Sequence, residues 1–202
     1  MLASDPMASD PVAPALSSPP VHEAPLPYAT RLQSRPAVQV DLVVIHCTEL
    51  PDLATAREFG ERLLYEATGT GNSGHYYVDR DGAVHRWVEA GRVAHHTRGY
   101  NARSIGIELV NTGRYPLWLD AAHQAMDEPY GEAQVAALIA LLQSLQHELP
   151  SLRFIAGHED LDTTEVGASD DPMQLVRRKR DPGPLFPWQR VLDSIGLERL
   201  LP

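Results

Sequence analysis

The first half of the chain combines strand-like and helix-like spacing of its apolar positions. Residues 38–46 predict a strand, and the β-branched residues within it are typical of a strand buried on both faces. Residues 53–67 predict a helix, because apolar side chains recur in it at helical spacing, at Ala56, Phe59, Leu63 and Leu64. Two aromatic-rich runs, 75–78 and 83–88, flank an Asp-Gly turn at residues 79–82. An Asp-Gly turn between two such runs predicts a β-hairpin.

The second half continues this pattern. Residues 104–110 predict a strand, and residues 111–131, which contain two prolines, predict an irregular insertion. The clearest helix covers residues 132–149, with a leucine-rich stripe that we expect in the core. A strand at 153–156 and a closing helix at 187–197 follow. The order of elements predicts an α/β fold, a single domain with a central mixed β-sheet flanked by helices.

The beginning of the chain has a different composition. Residues 1–36 contain eight of the seventeen prolines, mixed with Ala, Ser and Asp, and show no apolar periodicity. Such a segment cannot form a core of its own, so we predict a Pro-rich disordered or extended tail. The folded domain is then expected to cover residues 37–202.

Composition excludes some classes of function. Cys47 is the only cysteine, so no internal disulfide can form. The formal net charge of −10 argues against nucleic acid as a partner, because affinity for polyanions comes mainly from Lys and Arg. No apolar run approaches the length of a membrane span. The first residues lack the basic and apolar regions of a signal peptide, so a cytoplasmic protein is expected, or a periplasmic one if a leader has been removed.

Three residues at the ends of apolar or turn segments suggest metal chemistry. His46 and His158 each end an apolar run, and Asp181 follows in the sequence Lys-Arg-Asp-Pro-Gly-Pro. Two imidazoles and one carboxylate are typical ligands of a hydrolytic zinc site, where the fourth position is left to water. The sequence therefore predicts a metallohydrolase. Because side chains alternate along a strand, Cys47 would face away from a site that His46 faces, and we interpret it as a small buried residue rather than a nucleophile.

Glu108 lies within the apolar strand predicted at residues 104–110. The period of two places it on the face opposite Ile105, Ile107 and Leu109. A buried carboxyl group is unfavourable unless it has partners or a function, and burial would raise its pKa toward the range of a general base. The alternative is an edge strand on which Glu108 lies in water.

Five segments together resemble one protein family. They are Val-Val-Ile-His-Cys-Thr at 43–48, Gly-His-Tyr-Tyr-Val-Asp-Arg-Asp-Gly at 74–82, Ser-Ile-Gly-Ile-Glu-Leu at 104–109, Ala-Gly-His-Glu-Asp at 156–160 and Lys-Arg-Asp-Pro-Gly at 179–183. In this order they resemble the zinc-dependent N-acetylmuramoyl-L-alanine amidases. These are the AmpD-like enzymes, which are related in fold to phage amidase lysozymes and peptidoglycan recognition proteins. The resemblance covers about residues 38–195.

The resemblance implies a role for each candidate residue. It implies one Zn²⁺ ion held by His46, His158 and Asp181. It implies that Glu108 is the catalytic carboxylate and Lys179 the cationic partner. The segment between His158 and Asp181 is longer than in the short AmpD-type enzymes and ends in a basic run, so Arg178 is an alternative to Lys179. Three further histidines fall where the family often places cleft-lining polar residues, and we predict substrate contacts for them: His75, His95 and His96.

The implied function is hydrolysis of the amide between N-acetylmuramic acid, or its anhydro form, and L-alanine of the peptidoglycan stem peptide. The expected partners are therefore peptidoglycan fragments or muropeptides, and the expected process is cell-wall recycling or remodelling. A non-catalytic module that binds peptidoglycan is the alternative. A zinc peptidase acting on the stem peptide is disfavoured, because the helical His-Glu-x-x-His motif is absent.

Overall fold

A mixed seven-stranded sheet forms the centre of the structure, a computed structural model that describes residues 19–202. Its strands are β1 Val21–Glu23, β2 Leu42–Cys47, β3 Tyr76–Val78, β4 Val84–Arg86, β5 Ser104–Leu109, β6 Phe154–Gly157 and β9 Glu198–Arg199. The other two strands, β7 Glu165–Gly167 and β8 Leu175–Arg177, form a separate hairpin. The spatial order is β1-β4-β3-β5-β2-β6-β9. Only β3 and β4 pair antiparallel in this sheet, as expected for the Asp-Gly hairpin.

Helices connect and flank these strands. The α-helices are α1 Leu53–Gly60, α2 Glu132–Glu148, α3 His158–Leu161 and α4 Trp188–Asp193. Short 3₁₀ turns cover Ala29–Arg31, Ala37–Gln39, Asn101–Arg103 and Ala121–His123. The predicted α/β class with a central mixed sheet is confirmed. Within residues 19–202, no helix is both long enough and apolar enough to cross a membrane.

The main hydrophobic core lies between α2 and one face of the sheet. Val43 and Ile45 of β2 point into it, together with the predicted leucine stripe of α2. Leu42 and Val44 belong to a smaller cluster on the opposite face. All six residues of β2 are buried, which confirms the predicted burial on both faces. Because side chains alternate along a strand, His46 shares the face of Leu42 and Val44.

The predicted tail is wrong for residues 21–36, and residues 1–18 lie outside the described part of the chain. Strand β1 extends the sheet by pairing parallel with β4. Leu26, Tyr28 and Leu32 are buried in a second core cluster. The Tyr28 hydroxyl donates a 2.6 Å hydrogen bond to the carbonyl of Gly60 at the end of α1. The folded domain therefore begins before residue 37, because isolated apolar side chains between the prolines find partners elsewhere in the fold.

Two element boundaries also differ from the predicted ones. Helix α1 ends at Gly60 rather than at residue 67, because the following segment folds back and the Leu64 and Tyr65 N–H groups donate to the carbonyl of Thr70. Leu63, expected on the core face of this helix, is 57% exposed. Strand β2 begins at Leu42 rather than at residue 38, since a 3₁₀ turn precedes it.

The 111–131 insertion contains no β-strand and contacts the β7–β8 hairpin. The Ser169 N–H donates to the carbonyl of Leu119, and the Asp170 carboxylate accepts from the Ala121 N–H. The segment between His158 and Asp181 therefore contains, after α3, a β-hairpin that packs on the insertion.

Candidate active site

The strand register brings the candidate residues to one edge of the sheet. Strands β2 and β5 run parallel, with His46 directly opposite Glu108. Ile45 is opposite Gly157 of β6, so His158 follows at the same level as His46. Because parallel strands place their carboxyl ends at the same edge, three segments distant in sequence meet there.

His46, His158 and Asp181 form a compact buried group. One potential ligand atom from each lies within 4.8 Å of the other two. The Asp181 Oδ2 atom is 2.9 Å from Nδ1 of His46 and 3.0 Å from Nδ1 of His158. The other oxygen, Oδ1, is buried and has no hydrogen-bond partner among the described residues. Two imidazole nitrogens and a carboxylate with an unpartnered buried oxygen fit a divalent ion of the zinc type.

The second ring nitrogen of His46 is also partnered. Its Nε2 atom lies 3.0 Å from Nδ1 of His96 and 3.3 Å from the Thr97 hydroxyl. On its far side, Nε2 of His96 lies 3.2 Å from the hydroxyl of Ser104, which donates to the carbonyl of Tyr100. With protons on Nε2 of His46 and Nε2 of His96, all four of these contacts are hydrogen bonds. Such partners orient a metal-binding histidine and leave Nδ1 of His46 free to be a ligand.

Burial keeps these imidazoles neutral. Burial, with the nearby His158, lowers the pKa of His46 to about 4, although Asp181 opposes the shift. Burial and the neighbouring His46 lower the pKa of His96 well below its usual value. His96 packs flat against the sheet because Gly106 has no side chain, and a Cβ atom there would lie 2.6 Å from the His96 ring. Neutral imidazoles are the form that binds metals.

Glu108 lies beside the group of His46, His158 and Asp181 rather than within it. Its side chain is 15% exposed, and Oε1 is 4.0 Å from Nδ1 of His46. Strand β5 lies between β3 and β2, so the alternative of an edge strand in water is wrong. Burial, and then the negative charge of Asp181, raise the pKa of Glu108 well above its usual value, while Lys179 opposes the shift. A carboxyl group with a raised pKa holds a proton more readily than an ordinary carboxylate does, as a group that accepts and then releases a proton must.

A cleft of about 700 Å³ opens over this group. Its wall includes one or more residues from each of α1, the 61–73 segment, the 95–101 segment, the insertion and the 177–181 segment, among them Phe59, Tyr65, Arg98, Trp118 and Lys179. Cleft size and mixed apolar and polar lining are those of a small-molecule or peptide site.

The three histidines predicted to contact substrate occupy different positions. His75 is fully buried and absent from the cleft wall, so that prediction is wrong for His75. Its Nδ1 accepts from the Gly106 N–H and its Nε2 contacts the Arg92 carbonyl, which makes it part of the scaffold. His95 lines the cleft, with its ring edge-on to Tyr65 at 5.0 Å. His96 also borders the cleft, but its closest contacts are to His46 and Thr97.

The basic run before Asp181 is divided between structural and cleft positions. Arg177 donates to the carbonyl of Glu159 at 2.6 Å, and Arg178 forms an ion pair with Asp162. Lys179 lines the cleft, and its positive charge acts to lower the pKa of both Glu108 and Asp181. Because the Arg178 guanidinium is engaged by Asp162, Lys179 is the better placed of the two to meet a substrate.

Sequence reasoning missed several residues that support this site. Thr97 contacts His46 and His96, and the Asn101 side chain accepts from both the His96 and Thr97 N–H groups. Glu49 and Arg114 form a buried ion pair on the cleft wall. The adjacency of Thr97 to two histidines was a usable signal, whereas nothing in the sequence connects positions 49 and 114.

The sequence of this chain matches a known protein family. The family described as N-acetylmuramoyl-L-alanine amidase matches residues 36–184. The chain is also similar to N-acetylmuramoyl-L-alanine amidase AmiD of Escherichia coli (strain K12), with 37% identity over 112 residues. That match covers 55% of this chain and 34% of AmiD, so the chain spans about one third of the length of this relative.

Solved structures share the fold. The endolysin N-acetylmuramoyl-L-alanine amidase LysCS from Clostridium intestinale URNW superposes with a TM-score of 0.64 at 21% identity, over 91% of this chain and 100% of that one. The E. coli AmiD in complex with anhydro-N-acetylmuramic acid-L-Ala-D-gamma-Glu-L-Lys has a TM-score of 0.57 at 24% identity. That alignment covers 77% of this chain and 57% of AmiD.

Proposed function

The chain belongs to the N-acetylmuramoyl-L-alanine amidase family, and on this basis we propose that it hydrolyses the amide between N-acetylmuramic acid, or its anhydro form, and L-alanine. The observation that carries the proposal is the buried group of His46, His158 and Asp181 next to Glu108 in an open cleft. The complex of AmiD with its substrate, an anhydro-muramyl peptide, supports muropeptides as the substrate class.

The metal that we propose is a single zinc ion. Two imidazole nitrogens and one carboxylate oxygen are the ligand types of catalytic zinc, and three protein ligands leave one position open. When bound, zinc supplies Lewis acidity, which makes a water more acidic and polarises a carbonyl group. The hydrogen bonds that Nε2 of His46 makes with His96 and Thr97 keep the His46 ring in the orientation that such binding needs.

Glu108 moves the proton in this proposal. Its carboxylate accepts a proton from the water that attacks the carbonyl carbon, and then delivers it to the nitrogen of the departing L-alanine. The water thereby adds its oxygen to the carbon, the carbon–nitrogen bond breaks, and a lactyl carboxyl group and a free amine result. Burial, which raises the pKa of Glu108, favours a carboxyl group that holds the proton between these two steps.

Lys179 stabilises negative charge in this proposal. As the water attacks, negative charge develops on the carbonyl oxygen of the substrate. An ammonium group that is already oriented toward the oxygen stabilises that charge more than solvent does. Lys179 lines the cleft and its charge already influences Glu108 and Asp181, which supports this placement.

A peptidoglycan-binding module without activity is the second candidate function. The complete set of three metal-binding side chains and a buried carboxyl group favours the hydrolase, because binding alone requires neither.

Product analysis tests the proposal. The protein is incubated with polymeric cell wall and with soluble anhydro-muropeptide, each with and without a chelator, and the products are identified by mass spectrometry. We expect free stem peptide with an L-alanine amino terminus, loss of the reaction with chelator, and its return with added Zn²⁺. Binding of muropeptide with no cleavage would support the binding module, and cleavage within the peptide would identify a peptidase.

A further inference from the structure

Arg114, from the 111–131 insertion, is surrounded by acceptors. Its Nε and Nη2 atoms donate to the two Glu49 carboxylate oxygens at 2.7 and 2.9 Å. Nη1 donates to the carbonyl of Arg177 at 3.0 Å and to Gln124 Oε1 at 3.2 Å, and Nη2 also donates to the carbonyl of Arg178 at 3.4 Å. All five N–H donors of this guanidinium therefore have an acceptor. We call this arrangement the Arg114 clamp.

The clamp is buried and tightly constrained. The Arg114 side chain is 1% exposed and that of Glu49 is 8% exposed. Glu49 has a φ angle of 49°, a left-handed conformation that residues other than glycine rarely adopt. A Cβ atom at Gly113 would lie 2.6 Å from Cγ of Glu49, so only glycine leaves room for this side chain. The strained backbone of Glu49 and the absence of a side chain at Gly113 together allow the Glu49 carboxylate to reach Arg114.

The carbonyl groups that Arg114 holds belong to the two residues directly before Lys179. Arg114 thereby connects the segment after β2, the insertion and the segment that carries Lys179. We propose that Arg114, held by Glu49, is a positioning residue that fixes the backbone before Lys179 and so directs the Lys179 ammonium toward the reacting carbonyl. This inference rests on the proposed function.

Asp181 is anchored separately. Its backbone carbonyl accepts from the Glu159 N–H at 2.8 Å, and the Tyr130 hydroxyl donates to the neighbouring carbonyl of Pro182 at 2.7 Å. Loss of the clamp should therefore disturb Lys179 while leaving Asp181 in place. Turnover and metal affinity are expected to respond differently, which a general loss of structure would not produce.

The test compares Arg114→Lys with Arg80→Lys. Arg80 is a matched control, since it also forms a two-point ion pair with a glutamate and contacts the insertion, but it lies at the surface and makes no contact with residues 177–178. Lysine keeps the charge in both variants but lacks the planar fork. Glu49→Gln, which preserves the shape of the clamp, is a second variant in case Arg114→Lys folds poorly.

For Arg114→Lys we expect kcat to fall roughly 10- to 100-fold, the magnitude typical of a slightly misplaced catalytic group. We expect KM and the Zn²⁺ dissociation constant to change less than about threefold. On a Lys179→Ala background, the same substitution should lower kcat less than about twofold, because it acts through Lys179. Arg80→Lys should match the wild type. An unchanged kcat in the single variant, or a full additional loss on the Lys179→Ala background, would overturn the proposal.

Amide hydrogen exchange provides a readout that does not depend on turnover. Peptides covering residues 175–181 should exchange roughly tenfold faster in Arg114→Lys than in Arg80→Lys or the wild type. Unchanged exchange in this segment would show that the clamp does not hold it and would overturn the proposal. A wild-type protein that cleaves no muropeptide would instead refute the proposed function, and the exchange result would still decide whether Arg114 holds residues 177–178.

Discussion

Thermal stability should depend on metal in a way that identifies the ligands. Asp181 is only 2% exposed, and one of its oxygens has no partner among the described residues. An ion that binds the folded state alone stabilises it by about 2.7 kcal/mol at a free concentration of 100 times Kd. For a chain of 202 residues, 1 kcal/mol corresponds to about 2–4 °C in Tm. Zn²⁺ should therefore raise Tm by about 5–11 °C relative to protein treated with chelator.

The assay is differential scanning calorimetry of chelated and zinc-loaded protein, with matched variants. Asp181→Ala should lose the zinc-dependent increase in Tm, because the carboxylate that lies between both imidazoles is gone. Glu108→Gln should keep it, since Glu108 is not one of the three proposed ligands. A shift of the same size in Asp181→Ala, or no shift in the wild type, would refute the assignment of this group as the metal site.

Three further predictions address catalysis, pH dependence and packing. Glu108→Gln and Lys179→Ala should each lower kcat by roughly 10²- to 10³-fold on muropeptide, and turnover at the wild-type rate would exclude the proposed role. Burial alone would raise the pKa of Glu128, but hydrogen bonds from Arg80 and Thr112 lower it from 4.5 to about 2. The hydrogen-bonded Glu128 carboxylate therefore stabilises the folded state above pH 4.5, and this stabilisation is lost as the pH falls toward 2. The Arg80–Glu128 pair is partly exposed, so over that pH range the free energy of unfolding in urea should fall only about 1 kcal/mol more in the wild type than in Glu128→Gln. An equal fall in the two proteins would contradict the lowered pKa. Leu142→Ala, in the fully buried stripe of α2, should lower the free energy of unfolding by about 2–5 kcal/mol in the same assay, and a loss well below 1 kcal/mol would contradict its core position.

The sequence predicts the central sheet well because its strands carry local signals. The β-branched run of β2 and the Asp-Gly turn between β3 and β4 depend on residues close in sequence. Strand β1 has no such signal, because it is short, lies among prolines and is stabilised by pairing with β4 more than 60 residues away. Helix α1 is shorter than its apolar spacing suggests, since Leu63 and Leu64 are exposed rather than in the core.

The candidate site could be predicted in its reactive residues but not in their support. His46, Glu108 and His158 follow from strand ends and alternation, combined with the family resemblance. The Glu49–Arg114 pair joins positions 65 residues apart, and neither residue stands out in the sequence. His75 is a similar case, because a buried scaffold histidine and a cleft histidine have the same local sequence signal. Such roles depend on long-range contacts that composition and periodicity do not encode.

X-ray absorption at the zinc edge of the loaded protein tests most directly whether His46, His158 and Asp181 bind the ion. Nitrogen and oxygen ligands of zinc lie at about 2.0–2.2 Å, whereas a thiolate sulfur lies at about 2.3 Å. We predict one zinc ion per chain with a shell of nitrogen and oxygen only, including two imidazoles. A sulfur contribution from Cys47, which also borders the cleft, or a shell without imidazole would contradict the proposed site.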